Sequence, residues 1–286
     1  MPTPDGALAG VFAIGGDLFV NRLGFGAMRI TGHGTFGEPA DHDEVIRVLR
    51  RLPEIGVSFI DTAESYGPNV SENLIREALH PYPAGLVIAT KAGYQRSGPD
   101  VWHIDCRPDV LKRGLEGSLK RLGLDRIDLW QLHRIDTKVD RKAQFEVLRW
   151  AQEQKLVRHV GLSEVGVEDI KEVMDYVPVT TVQNRFGPTY RKYDDVLAYC
   201  AARNIGFIPW GPLGFGELAR ADSVLRSVAK RNAATTSQVA IAWALQRAPV
   251  VLMIPGTGKV AHVDENTAAA ALTLPASDIA EIDRLG

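Results

Sequence analysis

The chain alternates short β-branched runs with longer stretches of helical periodicity about eight times over, and this alternation constrains its fold more than any other feature. The strand-like runs are Leu23-Gly24-Phe25-Gly26, Val57 to Asp61, Leu86 to Lys91, Ile127 to His133, Val157 to Ser163, Thr180 to Asn184, Gly206 to Trp210 and Val250 to Ile254. Between them, stretches such as Asp43 to Ile55, Pro108 to Leu122 and Asp194 to Arg203 repeat apolar residues at spacings of three and four, with charges on the opposite face. Strand–helix units repeated in this way build a parallel sheet covered by helices. An open doubly wound sheet competes with a closed barrel, but no G-x-G-x-x-G follows an early strand to open a dinucleotide-binding half. The expected fold is therefore α/β, a (β/α)8 TIM barrel. It is expected to occupy residues 1–286 as one domain, because no linker or change of composition divides the chain.

Punctuation supports these elements. Asp41 followed by Glu44 is a capping-box pattern, Pro108 stands where a first helical turn begins, and Gly123 closes that helix. Val11 to Ile14 and Leu18 to Val20 flank Gly15-Gly16-Asp17, which predicts an N-terminal hairpin able to plug the bottom of the barrel. Ser277 to Leu285 predicts a C-terminal helix, with no long loop after it to narrow the pocket, so an open, permissive pocket is expected.

Composition narrows the partners. Lys+Arg 33 against Asp+Glu 35 gives a formal charge of −2, without the basic excess that nucleic-acid or anionic-membrane binding calls for. The two cysteines, Cys106 and Cys200, form no C-x-x-C pair and predict free thiols in a reducing compartment. The N-terminus lacks a basic stretch before its interrupted apolar run, and the apolar segment Ala248 to Pro255 is far below the roughly 18 residues of a membrane span. A cytoplasmic protein handling a small molecule is expected.

In a βα barrel the active site lies at the C-terminal ends of the strands, so the polar residues that close each run are the candidates. Asp61 ends the second run, Tyr66 follows in its loop, Lys91 ends the third and His133 the fourth. Singly, each of these residue types commonly braces a loop. Together they make a general-acid site: an ammonium near a phenol favours the phenolate and is expected to lower the phenol's pKa from about 10. A carboxylate keeps that ammonium charged, and an imidazole can orient a carbonyl oxygen. Such a set suits carbonyl reduction, in which an alkoxide forms and must receive a proton.

Asp61-Thr62-Ala63-Glu64-Ser65-Tyr66-Gly67, Thr90-Lys91 and Leu132-His133 resemble the catalytic motifs of the aldo-keto reductase superfamily. The likeness runs from Leu23-Gly24-Phe25-Gly26-Ala27-Met28 to Glu265-Asn266, with the motifs in order. It implies reduction of aldehydes and ketones with NADPH, or possible use of NADH, bound across the barrel mouth without a metal. Tyr66 would donate the proton, Asp61 and Lys91 would tune it, and His133 would orient the substrate.

The same resemblance assigns Gly26, Ala27, Met28, Asp61, Ser163, Glu164, Gln183, Trp210, Gly211, Pro212, Leu213 and Gly214 to cofactor binding, together with Gly256, Thr257, Gly258, Lys259, His262, Glu265 and Asn266. Ser163 and Gln183 would hold the nicotinamide carboxamide and Trp210 would stack on the ring. Glu164 stands where the family more often has Asn, and an ionised carboxylate cannot donate to the amide oxygen. Glycines 256 and 258 before a helix make an anion site of backbone amides, although two cations that the family more often places around the 2′-phosphate, a Lys after Ile254-Pro255 and an Arg where His262 stands, are absent, with Lys259 nearby. Trp102, in the loop Tyr94 to Arg107, is expected to join Tyr66 and His133 in the substrate wall. A nicotinamide-sensing barrel with slow or vestigial turnover, like the regulatory subunits of potassium channels, is the alternative that the same residues allow.

Overall fold

The computed structural model describes residues 3–211 and 222–286. The chain opens with a hairpin, β1 (Val11–Ile14) and β2 (Leu18–Asn21), turned by Gly15 and Gly16, whose φ angles are 62° and 86°. These positive angles suit glycine because it has no Cβ. One face of the hairpin buries Phe12, Ile14, Leu18 and Val20, while Asp17 meets His159 (2.6 Å) and Arg158 (3.0 Å) at the start of a barrel strand. The hairpin thus closes the bottom of the barrel, as its turn signal predicts.

Next come β3 (Phe25–Gly26), α1 (His42–Glu54), β4 (Phe59–Asp61), α2 (Val70–Leu79) and β5 (Val87–Ala92). A second hairpin, β6 (Tyr94–Gly98) and β7 (Val101–Ile104), precedes α3 (Pro108–Leu122). The chain continues through β8 (Ile127–Leu132), α4 (Arg141–Glu153), β9 (Val157–Ser163), α5 (Val167–Met174), β10 (Val179–Gln183), α6 (Asp194–Ala202) and β11 (Gly206–Phe207). It ends with α7 (Asp222–Arg231), α8 (Thr236–Arg247), α9 (Val260–Ala268) and α10 (Ala276–Asp283).

The parallel sheet runs β3-β4-β5-β8-β9-β10-β11. The expected eighth strand closes it as an irregular segment: Val251 bridges Phe207 on one side and Met253 bridges Leu23 on the other. Leu252 N donates to Phe207 O and Gly24 N to Met253 O, at 2.8 and 2.7 Å. Arg22 braces this seam by donating to the carbonyls of Ala9, Leu245, Ala248 and Val251. The result is the closed α/β barrel that the alternation predicts.

Two apolar clusters support it. One fills the barrel and its contacts with most helices, through residues such as Trp130, Leu162, Phe207 and Trp243; the other packs Val48, Leu49, Leu74 and Ile75 of α1 and α2 against Ile60 and Ile88. The boundary signals hold at α3, which has Pro108 in its first turn and ends at Gly123 with φ 67°. The capping box at α1 forms only in half: Asp41 accepts from Glu44 N at 3.0 Å, but the Glu44 carboxylate goes to Arg47 and to Val260 N instead of returning to Asp41. The segment expected as the loop Tyr94 to Arg107 contains the β6–β7 hairpin.

Candidate active site

Period-two alternation aims every second residue of a barrel strand inward. Asp61 closes β4, Lys91 and Gln131 are register partners on β5 and β8, and His133 follows two residues after Gln131. Tyr66 is brought back over them by a tight turn, in which its N–H donates to Ala63 O and Gly67 adopts φ 102°. A Cβ at residue 67 would collide with Val70. All four expected catalytic side chains are therefore brought together, each no more than 6% exposed.

Lys91 is the hub. Its Nζ donates to Asp61 Oδ2 at 2.6 Å, to Thr62 O at 2.8 Å and, at the long limit of 3.5 Å, to Tyr66 Oη. Burial pulls the Lys91 pKa down, but Asp61 and Tyr66 together more than offset it and the net direction is upward, so the ammonium stays charged. For Tyr66 the outcome differs from the sequence expectation. Burial raises its pKa, the Asp61 charge adds to that, and together they outweigh the downward pull of Lys91. His133 is driven well below its ordinary pKa by burial, then by Lys91 and Arg134, so the imidazole is neutral at neutral pH. Its Nδ1 is buried without a partner among the described residues.

Four rings form a cycle around the phenol. Tyr66 meets His133 and Trp102 edge-on at centroid distances of 6.0 and 6.4 Å, and Tyr94 meets the same two rings at 4.8 and 5.2 Å. Arg96 holds the hairpin that carries Trp102. Its guanidinium lies 3.6 Å from the indole centroid and donates to the carbonyls of Gly34, Thr35, Ser65, Gly98 and Val101.

Ser163, at the end of β9, accepts a 2.9 Å hydrogen bond from Arg134 Nη1. A guanidinium has no acceptor, so the serine hydroxyl proton is left to donate elsewhere. Gln183 gives its amide nitrogen to Asp61 at 2.9 Å, leaving its carbonyl oxygen as the group it can offer. Both Glu164 oxygens are engaged: Oε1 accepts from Arg185 N and Trp210 Nε1, and Oε2 accepts from Tyr193 Oη at 3.2 Å. Glu164 has φ 58°, a left-handed conformation that Asn adopts more easily than Glu. Trp210 and Gly211 stand partly exposed at the end of the strand region; Pro212, Leu213 and Gly214 lie outside the described residues.

Gly26, Ala27 and Met28 lie at the mouth end of β3. Gly26 is required by packing, since its Cβ would strike Ile254 O, and a Cβ on Gly256 would strike Gly26 O. Thr257, Gly258 and Lys259 lead into α9, where Thr257 Oγ1 accepts from Lys259 N and lies 3.4 Å from His262 Nδ1. Glu44 Oε1 takes the first α9 amide, Val260 N, at 3.0 Å. Glu265 Oε1 accepts from Thr235 Oγ1 at 2.8 Å, while Asn266 is buried beside it. Sequence reasoning missed Gln131, Arg134 and Arg96, and it read Glu44 only as part of a helix cap. Among the described residues, no group of three His, Cys, Asp or Glu is placed to hold a metal ion, and no helix is long and apolar enough to cross a membrane.

The aldo/keto reductase family model matches residues 22–286. An uncharacterised oxidoreductase of Schizosaccharomyces pombe is 52% identical over 282 residues, spanning 99% of this chain and 92% of the relative. Pyridoxine 4-dehydrogenase of Escherichia coli is 39% identical, spanning 92% and 94%. Among solved structures, the glycerol dehydrogenase of Gluconobacter oxydans superposes with a TM-score of 0.84 at 23% identity, covering 97% of this chain and 95% of that one. An aldo-keto reductase from Klebsiella pneumoniae in complex with NADPH gives 0.78 at 22% identity, covering 100% and 95%. The buried cluster of Asp61, Tyr66, Lys91 and His133 and these matches agree: the chain belongs to the aldo/keto reductase family and is an NAD(P)H-dependent oxidoreductase.

Proposed function

We propose that this protein reduces aldehydes and ketones to alcohols with NADPH, and that Tyr66 donates the proton. The observation that carries the reading is the buried set Asp61, Lys91, Tyr66 and His133, linked through Lys91 Nζ. A single domain over residues 1–286 is part of the same proposal. The described groups fit a nicotinamide cofactor: Ser163 has a proton to donate to a carboxamide oxygen, Gln183 has an oxygen to accept from its NH2, and Trp210 is partly exposed nearby. The NADPH complex of the Klebsiella pneumoniae protein of the same fold supports the choice of cofactor. NADPH, when bound, supplies the hydride.

The residues of this chain do the rest. Neutral His133 can donate a hydrogen bond to the carbonyl oxygen without competing with Tyr66 as an acid. Burial keeps Tyr66 protonated at neutral pH, so the proton is present when it is needed. An alkoxide is about as basic as hydroxide, whose conjugate acid has a pKa of about 15.7, so even a phenol with a raised pKa protonates it downhill. Lys91 then stabilises the phenolate, Asp61 holds Lys91 charged, and solvent returns the proton to Tyr66. Glu44, which takes the first α9 amide and also pairs with Arg47, makes the 2′-phosphate contact modest, while Lys259 at the start of the helix supplies a cation that favours NADPH.

Tyr94 and Trp102 beside the phenol favour planar carbonyl substrates, and the name of the Escherichia coli relative puts pyridoxal first among those to try. The test is NADPH consumption at 340 nm across aromatic aldehydes, aldoses, α-dicarbonyls and pyridoxal. The expected result is many turnovers per site and a higher kcat/KM with NADPH than with NADH. A single slow turnover with every substrate would overturn the reading in favour of a nicotinamide sensor, and an NADH preference would overturn the cofactor assignment.

A further inference from the structure

Asp61 is also held from the side away from Lys91, by one glutamine at a strand end and one inside a strand. Its Oδ2 faces Lys91, while its Oδ1 accepts two amide hydrogens, from Gln131 Nε2 at 3.0 Å and Gln183 Nε2 at 2.9 Å. All of these side chains are at least 97% buried. Gln131 lies on β8 in register with Lys91 on one side and Gly161 of β9 on the other. Gly161 makes room for it, because a Cβ there would lie 2.9 Å from Gln131 Cγ and would also strike Thr181 Oγ1. Gln131 Oε1 has no partner among the described residues. An amide that leaves its own carbonyl unsatisfied in the barrel interior gains from the carboxylate alone, since a charge-assisted hydrogen bond is stronger than a neutral one.

We propose that Gln131 is a positioning residue for the reaction, acting with Gln183 to fix Asp61 Oδ1 so that Oδ2 is aimed at Lys91 and the carboxylate's charge is partly taken up away from Tyr66. The inference rests on the reading that Tyr66 is the acid, and the side-chain hydrogen bond of Gln131 goes to Asp61. The negative charge of Asp61 raises the Tyr66 pKa. Without the Gln131 amide, less of that charge is neutralised and the phenol becomes a weaker acid.

The experiment reads the Tyr66 ionisation in the direction of alcohol oxidation, where NADP⁺ accepts the hydride, the tyrosinate is the base, and the rate rises with pH through its titration. Gln131→Met keeps the length of the side chain and removes both the donor and the unpartnered acceptor. Gln131→Glu also keeps the shape and adds a carboxylate. The expected midpoint moves upward by ~0.5–1 pH unit in Gln131→Met, a roughly three- to tenfold lower rate at fixed pH on the rising limb, and further in Gln131→Glu. NADPH affinity, read by fluorescence titration, and the KM for alcohol stay near wild type. A kcat lowered equally at every pH, with the midpoint unmoved in both variants, would show a merely structural role and overturn the proposal. Tyr66→Phe tests the underlying reading separately: it must abolish the pH-dependent oxidation, and a Phe variant that keeps the wild-type profile sinks the acid assignment whatever Gln131 does.

Discussion

At the scale of single residues, burial decides the charge states and neighbours decide which of them is useful. Lys91 and Asp61 are both removed from water and meet as a buried ion pair at 2.6 Å, so removing either partner alone would leave a buried charge unpaired. Glu64, two residues before Tyr66, follows the opposite rule. It lies against Gly114 of α3, with one oxygen unpartnered, and burial, helped by Glu72, pushes its pKa up from 4.5 to about 8. The folded chain therefore keeps a proton that the unfolded chain gives up. Stability from this site is fully present below pH 4.5 and is lost as pH rises toward 8, with no further change above. Glu64→Gln, a neutral isostere, is expected to flatten that decline, so that its Tm relative to wild type rises between pH 5 and pH 8. A wild-type Tm that climbs over this interval and an unchanged slope in the variant would contradict it.

At the scale of elements, the strands deliver the chemistry and a hairpin encloses it. Asp61, Lys91 and His133 could be read from the sequence because a polar residue closing an apolar run stands out, and a barrel gathers such ends at one mouth. The β6–β7 hairpin could not be read in this way. Its residues from Tyr94 to Gly98 alternate between half-buried and exposed without an apolar face, and its attachment depends on the Arg96 side chain reaching carbonyls of distant loops. Gln131 was equally silent, a polar residue inside Ile127 to Leu132 whose meaning lies in a carboxylate 70 positions away. The Asp41 and Glu44 pair gave a correct helix start but hid the second role of Glu44, because its oxygen goes to α9 instead of its own cap. If Arg96 holds Trp102 beside Tyr66, then Arg96→Met loosens the wall without touching the acid. Its KM for aromatic aldehydes should rise ~three- to tenfold while saturating kcat changes less than about twofold, the pattern of lost substrate positioning. Equal losses in kcat and kcat/KM, with KM unmoved, would place Arg96 in the chemistry instead.

At the scale of the whole molecule, closure of the barrel is what makes the site. The Val250 to Ile254 segment joins β11 to the first strand through single bridges on each side, and Arg22 ties the seam to α8. The N-terminal hairpin packs on the end opposite the strand C-termini, where Tyr66 stands. The near-neutral total charge provides no global field to attract a phosphate-bearing cofactor, so under the proposed function that attraction falls to local groups such as Arg134 and Lys259. The central claim is that Tyr66 is the proton donor of a working reductase. The most direct test is Tyr66→Phe, measured for NADPH binding by fluorescence titration and for NADPH-dependent aldehyde reduction in the same preparation. Binding within about twofold of wild type with turnover reduced by roughly a thousandfold or more is the predicted result, and a Phe variant that binds NADPH normally and keeps an appreciable kcat would contradict the account.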